Sequence, residues 1–173
     1  MAQIYLVRHT KVNVPSGICY GTTDVSLAST FAEEYKEVQK QLEGKIFDIV
    51  YSSPLIRCTQ LAKRIAPDNY ITDSCLSELN FGEWEGKTWD EIYQTPYGKE
   101  WMERYMDLAC PGGESYRDLY KRVEKFIKKL EINKNILIIT HAGVIRVCMH
   151  ILNNIDSFKT FRLDIKYGEV IKI

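Results

Sequence analysis

Two short apolar runs in this chain each stop at a histidine. Ile4-Tyr5-Leu6-Val7 leads into Arg8-His9-Thr10, and Ile136-Leu137-Ile138-Ile139 leads into Thr140-His141-Ala142-Gly143. A continuous apolar run of this length, bounded by polar residues, reads as a strand buried on both faces. In open α/β sheets, ligands bind beyond the carboxyl ends of such strands. Both histidines are therefore expected at one edge of a parallel sheet. A third run, Phe47-Asp48-Ile49-Val50-Tyr51, leaves through Ser52-Ser53-Pro54 and reaches Arg57 after about one helical turn. Arg8, His9, Arg57 and His141 would then converge, an arrangement suited to a phosphate and to a nucleophile that attacks it.

The rest of the chain supports an α/β class. Strands are expected over about Gln3 to Val7, Ile46 to Ser52, Tyr70 to Thr72 and Asn135 to Ile139, with closing strands at Phe161 to Ile165 and Glu169 to Ile173. Helices are expected over Ser29 to Leu42, stopped by Gly44, and from Pro54 to Ile65 with Ser53 as N-cap. Two more are expected from Tyr116 to Leu130, where Ser115 and Asp118 form a capping-box-like start, and from Val144 to Leu152. Phe81 to Cys110 differs in texture, holding Trp84, Trp89 and Trp101, with helical spacing around Trp89–Tyr93 and Trp101–Tyr105, before the break at Pro111-Gly112-Gly113. The expectation is a three-layer α/β/α sandwich with a mostly parallel sheet, in one domain over 1–173, carrying a small helical insertion at about 81–115.

At 173 residues the chain can bury a core without disulfides or metal. Twenty-three basic residues balance 23 acidic ones. No nucleic-acid or anionic membrane partner is implied. The five cysteines are irregularly spaced without a C-x-x-C pair, which fits reduced thiols in a cytoplasmic protein. The Met1-Ala2-Gln3 start lacks the pattern of a secretion signal. The longest apolar region, Ile136 to Leu152, is broken by His141, Gly143, Arg146 and His150, so no membrane span is expected. No zinc-ligand spacing and no P-loop motif occur, so neither a metal nor another cofactor is called for.

Neutral imidazole is a competent nucleophile toward phosphorus, and a phosphohistidine divides one difficult transfer into two easier steps. Guanidinium forks screen the phosphoryl oxygens that would otherwise repel the attack. His141 can hydrogen-bond a further oxygen, and cationic neighbours keep His9 unprotonated. The leaving alkoxide needs a proton, which a carboxylic acid beside a phosphate dianion can supply. The stretch Leu76-Ser77-Glu78-Leu79-Asn80-Phe81-Gly82-Glu83-Trp84-Glu85-Gly86 offers Glu78, Glu83 and Glu85, and spacing does not choose among them.

Leu6 to Thr10, the segment Ser52-Ser53-Pro54-Leu55-x-Arg57-Cys58-x-Gln60-Leu61-Ala62, Leu76 to Gly86, and Ile139 to Gly143 together resemble the histidine phosphatase superfamily, which includes phosphoglycerate mutases and many phosphatases. The likeness runs over nearly the whole chain in the family order. It implies that His9 is the phosphorylated nucleophile and that Arg8, Arg57 and His141 form the phosphate pocket. It also implies Glu78 as the proton donor and Tyr20 and Gly21 as substrate contacts, with the aromatic insertion as the cap that selects the leaving group. The expected partner is a small phosphomonoester, with inorganic phosphate as product. Two positions depart from the family: Thr10 stands in place of a common glycine, and Pro15 in place of an asparagine. Asn13, two residues early, is not mapped as a binding residue.

Rival readings are simple to state. Cys58 to Arg64 matches the C-x5-R pattern of cysteine-dependent phosphatases. Its intervening residues are glycine-free and helix-forming, so their N–H groups are spent inside a helix. Cys19 reads as a small buried thiol, His150 as a partly buried helix residue and Ser115 as a helix cap. A mutase and a non-enzymatic phosphate binder are the functional rivals. The presence of nucleophile, arginines, second histidine and candidate acid together disfavours the binder.

Overall fold

A computed structural model describes residues 3–131 and 133–173. The Met1-Ala2 start lies outside the described residues. In chain order the elements are β1 (Ile4–Arg8), α1 (Phe31–Gln41), β2 (Ile49–Ser52), α2 (Ile56–Ile65), β3 (Ile71–Thr72), α3 (Trp89–Gln94), α4 (Pro96–Arg104), α5 (Tyr116–Ile127), β4 (Ile136–Thr140), α6 (Ala142–Asn153), α7 (Ser157–Phe161) and β5 (Val170–Lys172). The strands form one sheet in the order β3-β2-β4-β1-β5. All pairings are parallel except that of β1 with β5.

Strand periodicity builds the three layers. Tyr5 and Val7 of β1, with Leu137 and Ile139 of β4, pack on one face with Val38 of α1 and Leu61 and Ala62 of α2. Leu6, Ile136 and Ile138 turn to the other face and join Leu119, Val123 and Phe126 of α5 and Val144, Ile145 and Val147 of α6. Successive side chains on a strand point to opposite faces, so a run apolar at every position needs helices on both sides. Trp84, Trp89 and Trp101 pack together, with Trp84 and Trp101 edge to face at 5.3 Å between centroids and Trp89 stacked on Trp101 at 6.4 Å. This cluster anchors α3 and α4 onto the α5–α6 side of the core. The expected capping box is present: Ser115 Oγ accepts from the Asp118 N–H and the Asp118 carboxylate accepts from the Ser115 N–H.

Two expectations are corrected. The helix after β2 starts at Ile56, not at Pro54. The Ser53 N–H still pairs with the Ile139 carbonyl at 2.9 Å, extending the sheet ladder. The cap comes from a distant loop instead, where Asp24 Oδ1 accepts from the Ile56 N–H at 2.7 Å. Phe161 to Ile165 is not a strand. β1 already has β4 and β5 on its two edges, and the carbonyls of Leu163 and Ile165 accept from Arg146 and Arg8. Of the two closing strands, the C-terminal one is present, as β5.

Candidate active site

Parallel register creates the site. Arg8 lies opposite Thr140 in the β1–β4 ladder, and the His9 N–H continues it to the Thr140 carbonyl at 3.0 Å. The residues just beyond the two strand ends are thus neighbours. The His9 and His141 rings meet edge to face, 5.1 Å between centroids. β2, on the other side of β4, ends at Ser52 and carries the chain into α2, whose first turn holds Arg57.

His9 is 2% exposed, and its Nδ1 lies 2.7 Å from the Thr10 carbonyl. A carbonyl only accepts, so Nδ1 carries the proton and Nε2 keeps its lone pair. Burial is the main influence holding the His9 pKa well below its usual 6.5; the Arg57 and Arg8 charges add to it, against an opposing Thr10 carbonyl. The ring is a neutral imidazole at pH 7.

Arg57 is completely buried. It donates from Nη1 to the Thr23 carbonyl at 2.9 Å, from Nη2 to the Gly21 carbonyl at 2.5 Å, and from Nε to His141 Nδ1 at 3.3 Å. Three of its five N–H groups are thereby committed among the described residues, which leaves two to offer a ligand. Because Arg57 cannot accept, His141 must carry its proton on Nε2, where it donates to Ser53 Oγ at 2.8 Å. His141 therefore stands one layer behind the cleft and steadies Arg57. Its own pKa is held well below 6.5 by burial, then by His9 and the nearby arginines. Arg8 donates to the Ile165 carbonyl and lies 3.7 Å above the Tyr167 ring centroid, a cation–π contact that fixes its plane. The buried Arg8 Nε has no partner among the described residues.

A cleft of about 530 Å³ opens over these groups, and Arg8, His9, Arg57, Glu78, Tyr20 and Gly21 line it. The three glutamates now separate. Glu78 stands in the cleft wall with its carboxylate on the Gly143 N–H at 3.2 Å, in the first turn of α6. Glu83 is exposed and does not line the cleft. Glu85 accepts from the backbone and hydroxyls of Thr22 and Thr23 and from the Phe81 N–H. Burial pushes its pKa up, but those hydrogen bonds outweigh it and hold the carboxyl below its usual value. Glu85 is a brace for the loop that carries Gly21 and Thr23, the two carbonyls holding Arg57.

The remaining candidates have clear places. Tyr20 and Tyr167 face each other across the cleft, with hydroxyls 3.1 Å apart. Gly21 sits at φ +33°, and a Cβ there would meet the Leu79 backbone carbonyl at 2.6 Å, so glycine is required. Cys19 is buried at the cleft floor, where burial pushes its thiol up to about 12. Cys58 to Arg64 lie within α2, and burial raises the Cys58 thiol as well. His150 bonds the Ile155 carbonyl near the far end of α6. Asn13 is exposed and does not line the cleft. Among the described residues no cluster of His, Cys, Asp and Glu could hold a metal, and no helix is long and apolar enough to cross a membrane.

Sequence reasoning missed Ser53 as the partner of His141, Tyr167 as the platform under Arg8, and Arg146, which lines the cleft beside Glu78. Arg146 had a usable signal. It lies four residues after Ala142 in a helix launched from the strand end, so both share the face over the cleft. Tyr167 and Ser53 had none, since their partners are remote in sequence.

The fold and a cleft built on paired strand-end histidines and arginines define the class: residues 4–173 match the histidine phosphatase superfamily (branch 1), and the chain belongs to it. Fructose-2,6-bisphosphatase of Saccharomyces cerevisiae is 30% identical over 98% of this chain, which spans only 38% of that relative. Adenosylcobalamin/alpha-ribazole phosphatase of Escherichia coli is 28% identical over 83% of this chain and 75% of its own length. Phosphoserine phosphatases and 2,3-bisphosphoglycerate-dependent phosphoglycerate mutases match at 24–28%. The crystal structure of alpha-ribazole phosphatase from Shigella flexneri shares the fold, with a TM-score of 0.89 at 23% identity over 98% of this chain and 89% of that one.

Proposed function

We propose that this chain is a phosphomonoesterase working through a phosphohistidine on His9, in a single domain whose 81–115 insertion is the cap over the cleft. The reading rests above all on the state of His9: neutral, proton on Nδ1, with Nε2 left as the nucleophile in a cleft that Arg8, Arg57 and the Glu78 carboxyl group also line. Nε2 attacks phosphorus, the bond to the ester oxygen breaks, and Glu78 gives that oxygen a proton. The Thr10 carbonyl supports the positive charge that develops on the imidazole through its Nδ1–H. Arg8 and Arg57 take the charge on the equatorial oxygens. Water then attacks phosphorus and returns its proton to Glu78, releasing inorganic phosphate and neutral His9. His141 acts in the present arrangement by orienting Arg57. To touch a phosphoryl oxygen as donor, its Nδ1 must gain a proton.

For the substrate we propose α-ribazole 5′-phosphate, with α-ribazole as the leaving alcohol, in assembly of the cobalamin lower ligand. Arg8-His9-Thr10, Gly17-Ile18-Cys19-Tyr20-Gly21-x-Thr23-Asp24-Val25-x-Leu27 and Phe81 to Gly86 resemble α-ribazole phosphatases most. The Escherichia coli relative named above supports this choice. Broad small-metabolite phosphatases and mutases are the alternative, supported by relatives of similar identity. Trapping with labelled substrate by an alkaline denaturing quench, in which the P–N bond of phosphohistidine survives, tests the mechanism. Phosphate should be trapped on His9 and lost in His9→Ala, while Cys58→Ala keeps most activity. Label on Cys58, or turnover surviving His9→Ala, would overturn it. A panel of α-ribazole 5′-phosphate, phosphoserine and phosphoglycerates tests the leaving group, with the first expected to show the highest kcat/KM.

A further inference from the structure

Behind Glu78 lies a second compartment of about 280 Å³, between the insertion helices and the α5–α6 pair. It shares Glu78, Phe81, Trp89 and Arg146 with the anion cleft, so the two spaces meet along one wall. Trp101, Met102 and Tyr105 contribute to the far side. Among the described residues that line it, Glu78 and Arg146 are the charged ones, and both stand at the shared wall.

We propose that this compartment is the seat of an aromatic group on the leaving alcohol. The inference rests on the phosphatase reading above and adds a requirement that reading lacks. An ester phosphorus in reach of His9 presents its bridging oxygen to Glu78, and the shared wall gives the alcohol a path past Glu78 into the second compartment. Beyond that point the surface is largely ring faces and edges, with Leu79, Leu119 and the Met102 thioether between them. Phe81 and Trp89 already meet edge to face at 5.1 Å, the geometry in which a further flat ring is favoured. Met102 adapts to an irregular ring outline, and the Arg146 guanidinium offers a plane for stacking. An ammonium-bearing alcohol is disfavoured, because among the described residues the wall beyond Glu78 offers no second carboxylate to replace its water.

Two phosphomonoesters of primary alcohols with similar basicity, ethyl phosphate and 2-phenylethyl phosphate, isolate the effect. Burying the ring should raise kcat/KM for the aryl ester by roughly 10- to 100-fold over ethyl phosphate. Met102 is 37% exposed, so a charge there can be tolerated by the fold. Met102→Glu should lower that preference at least tenfold, whereas Met102→Leu, which stays apolar, should retain it. Equal kcat/KM on the two esters in the wild type, or a preference that Met102→Glu leaves intact, would overturn the inference alone. No hydrolysis of either ester, with no phosphate trapped on His9, would overturn the phosphatase reading and this inference with it.

Discussion

Replacing Gly143 with alanine separates the proton donor from the rest of the machinery. Gly143 is the second residue of α6, and its backbone lies outside the left-handed region, so alanine costs nothing in φ and ψ. The added Cβ would lie 2.3 Å from Glu78 Oε1 and 3.2 Å from its Cδ. Ordinary contact begins at 3.4 Å, so the carboxylate must retreat by about 3.4 − 2.3 = 1.1 Å, which the end of a flexible side chain can do. A displacement near 1 Å at a reacting group costs on the order of 100-fold in rate. That lies inside the roughly 10²- to 10⁴-fold that general acid catalysis contributes. The loss should fall on alkyl phosphates, whose alkoxide needs the proton, and should largely spare p-nitrophenyl phosphate, whose phenolate leaves without one. Stability should not fall, since Gly to Ala in a helix gains roughly 0.5–1 kcal/mol. The assay is kcat on both substrates together with a thermal melt. Equal losses on the two substrates, or no loss on the alkyl ester, would refute the assignment of Glu78 as donor.

Two further predictions concern charge. Folding holds the pKa values of His9 and His141 below 6.5, so below that pH the unfolded chain binds protons that the folded chain does not. Their contribution to stability is complete above 6.5 and is lost as pH falls toward the folded-state values. The urea midpoint should drop between pH 7 and 5, and His9→Gln should flatten the slope; an unchanged slope would contradict neutral burial of His9. Arg122 clamps the segment that carries Glu78, donating to the carbonyls of Cys75, Ser77 and Glu78 and to both oxygens of Glu114. Arg122→Ala breaks a mostly buried pair and should cost about 3 kcal/mol. In a double-mutant cycle with Glu114→Gln by urea denaturation the two losses should be strongly non-additive, and simple additivity would show that the pair is not a coupled unit.

Much of this protein was legible because its signals are local. Apolar runs such as Ile136 to Ile139 can satisfy themselves only inside a sheet covered on both faces, and a strand end is a fixed place for the next side chain. Arg8, His9 and His141 needed no more than that. The capping box of α5 was equally readable, since both partners lie within four residues. What the tertiary structure decided were contests between partners far apart in sequence. Ser53 had the look of a helix cap, but sheet pairing and His141 claimed it, and Asp24, 32 residues from Ile56, capped α2 instead. Three glutamates within eight residues were equivalent on paper. Glu85 was consumed by Thr22 and Thr23, Glu83 was left exposed, and Glu78 met the Gly143 N–H at the cleft. The stretch after α7 was apolar enough for a strand, yet both edges of β1 were occupied and two arginines took its carbonyls. Local propensity states what a segment can become; competition for a finite set of donors, acceptors and sheet edges settles which option is realised.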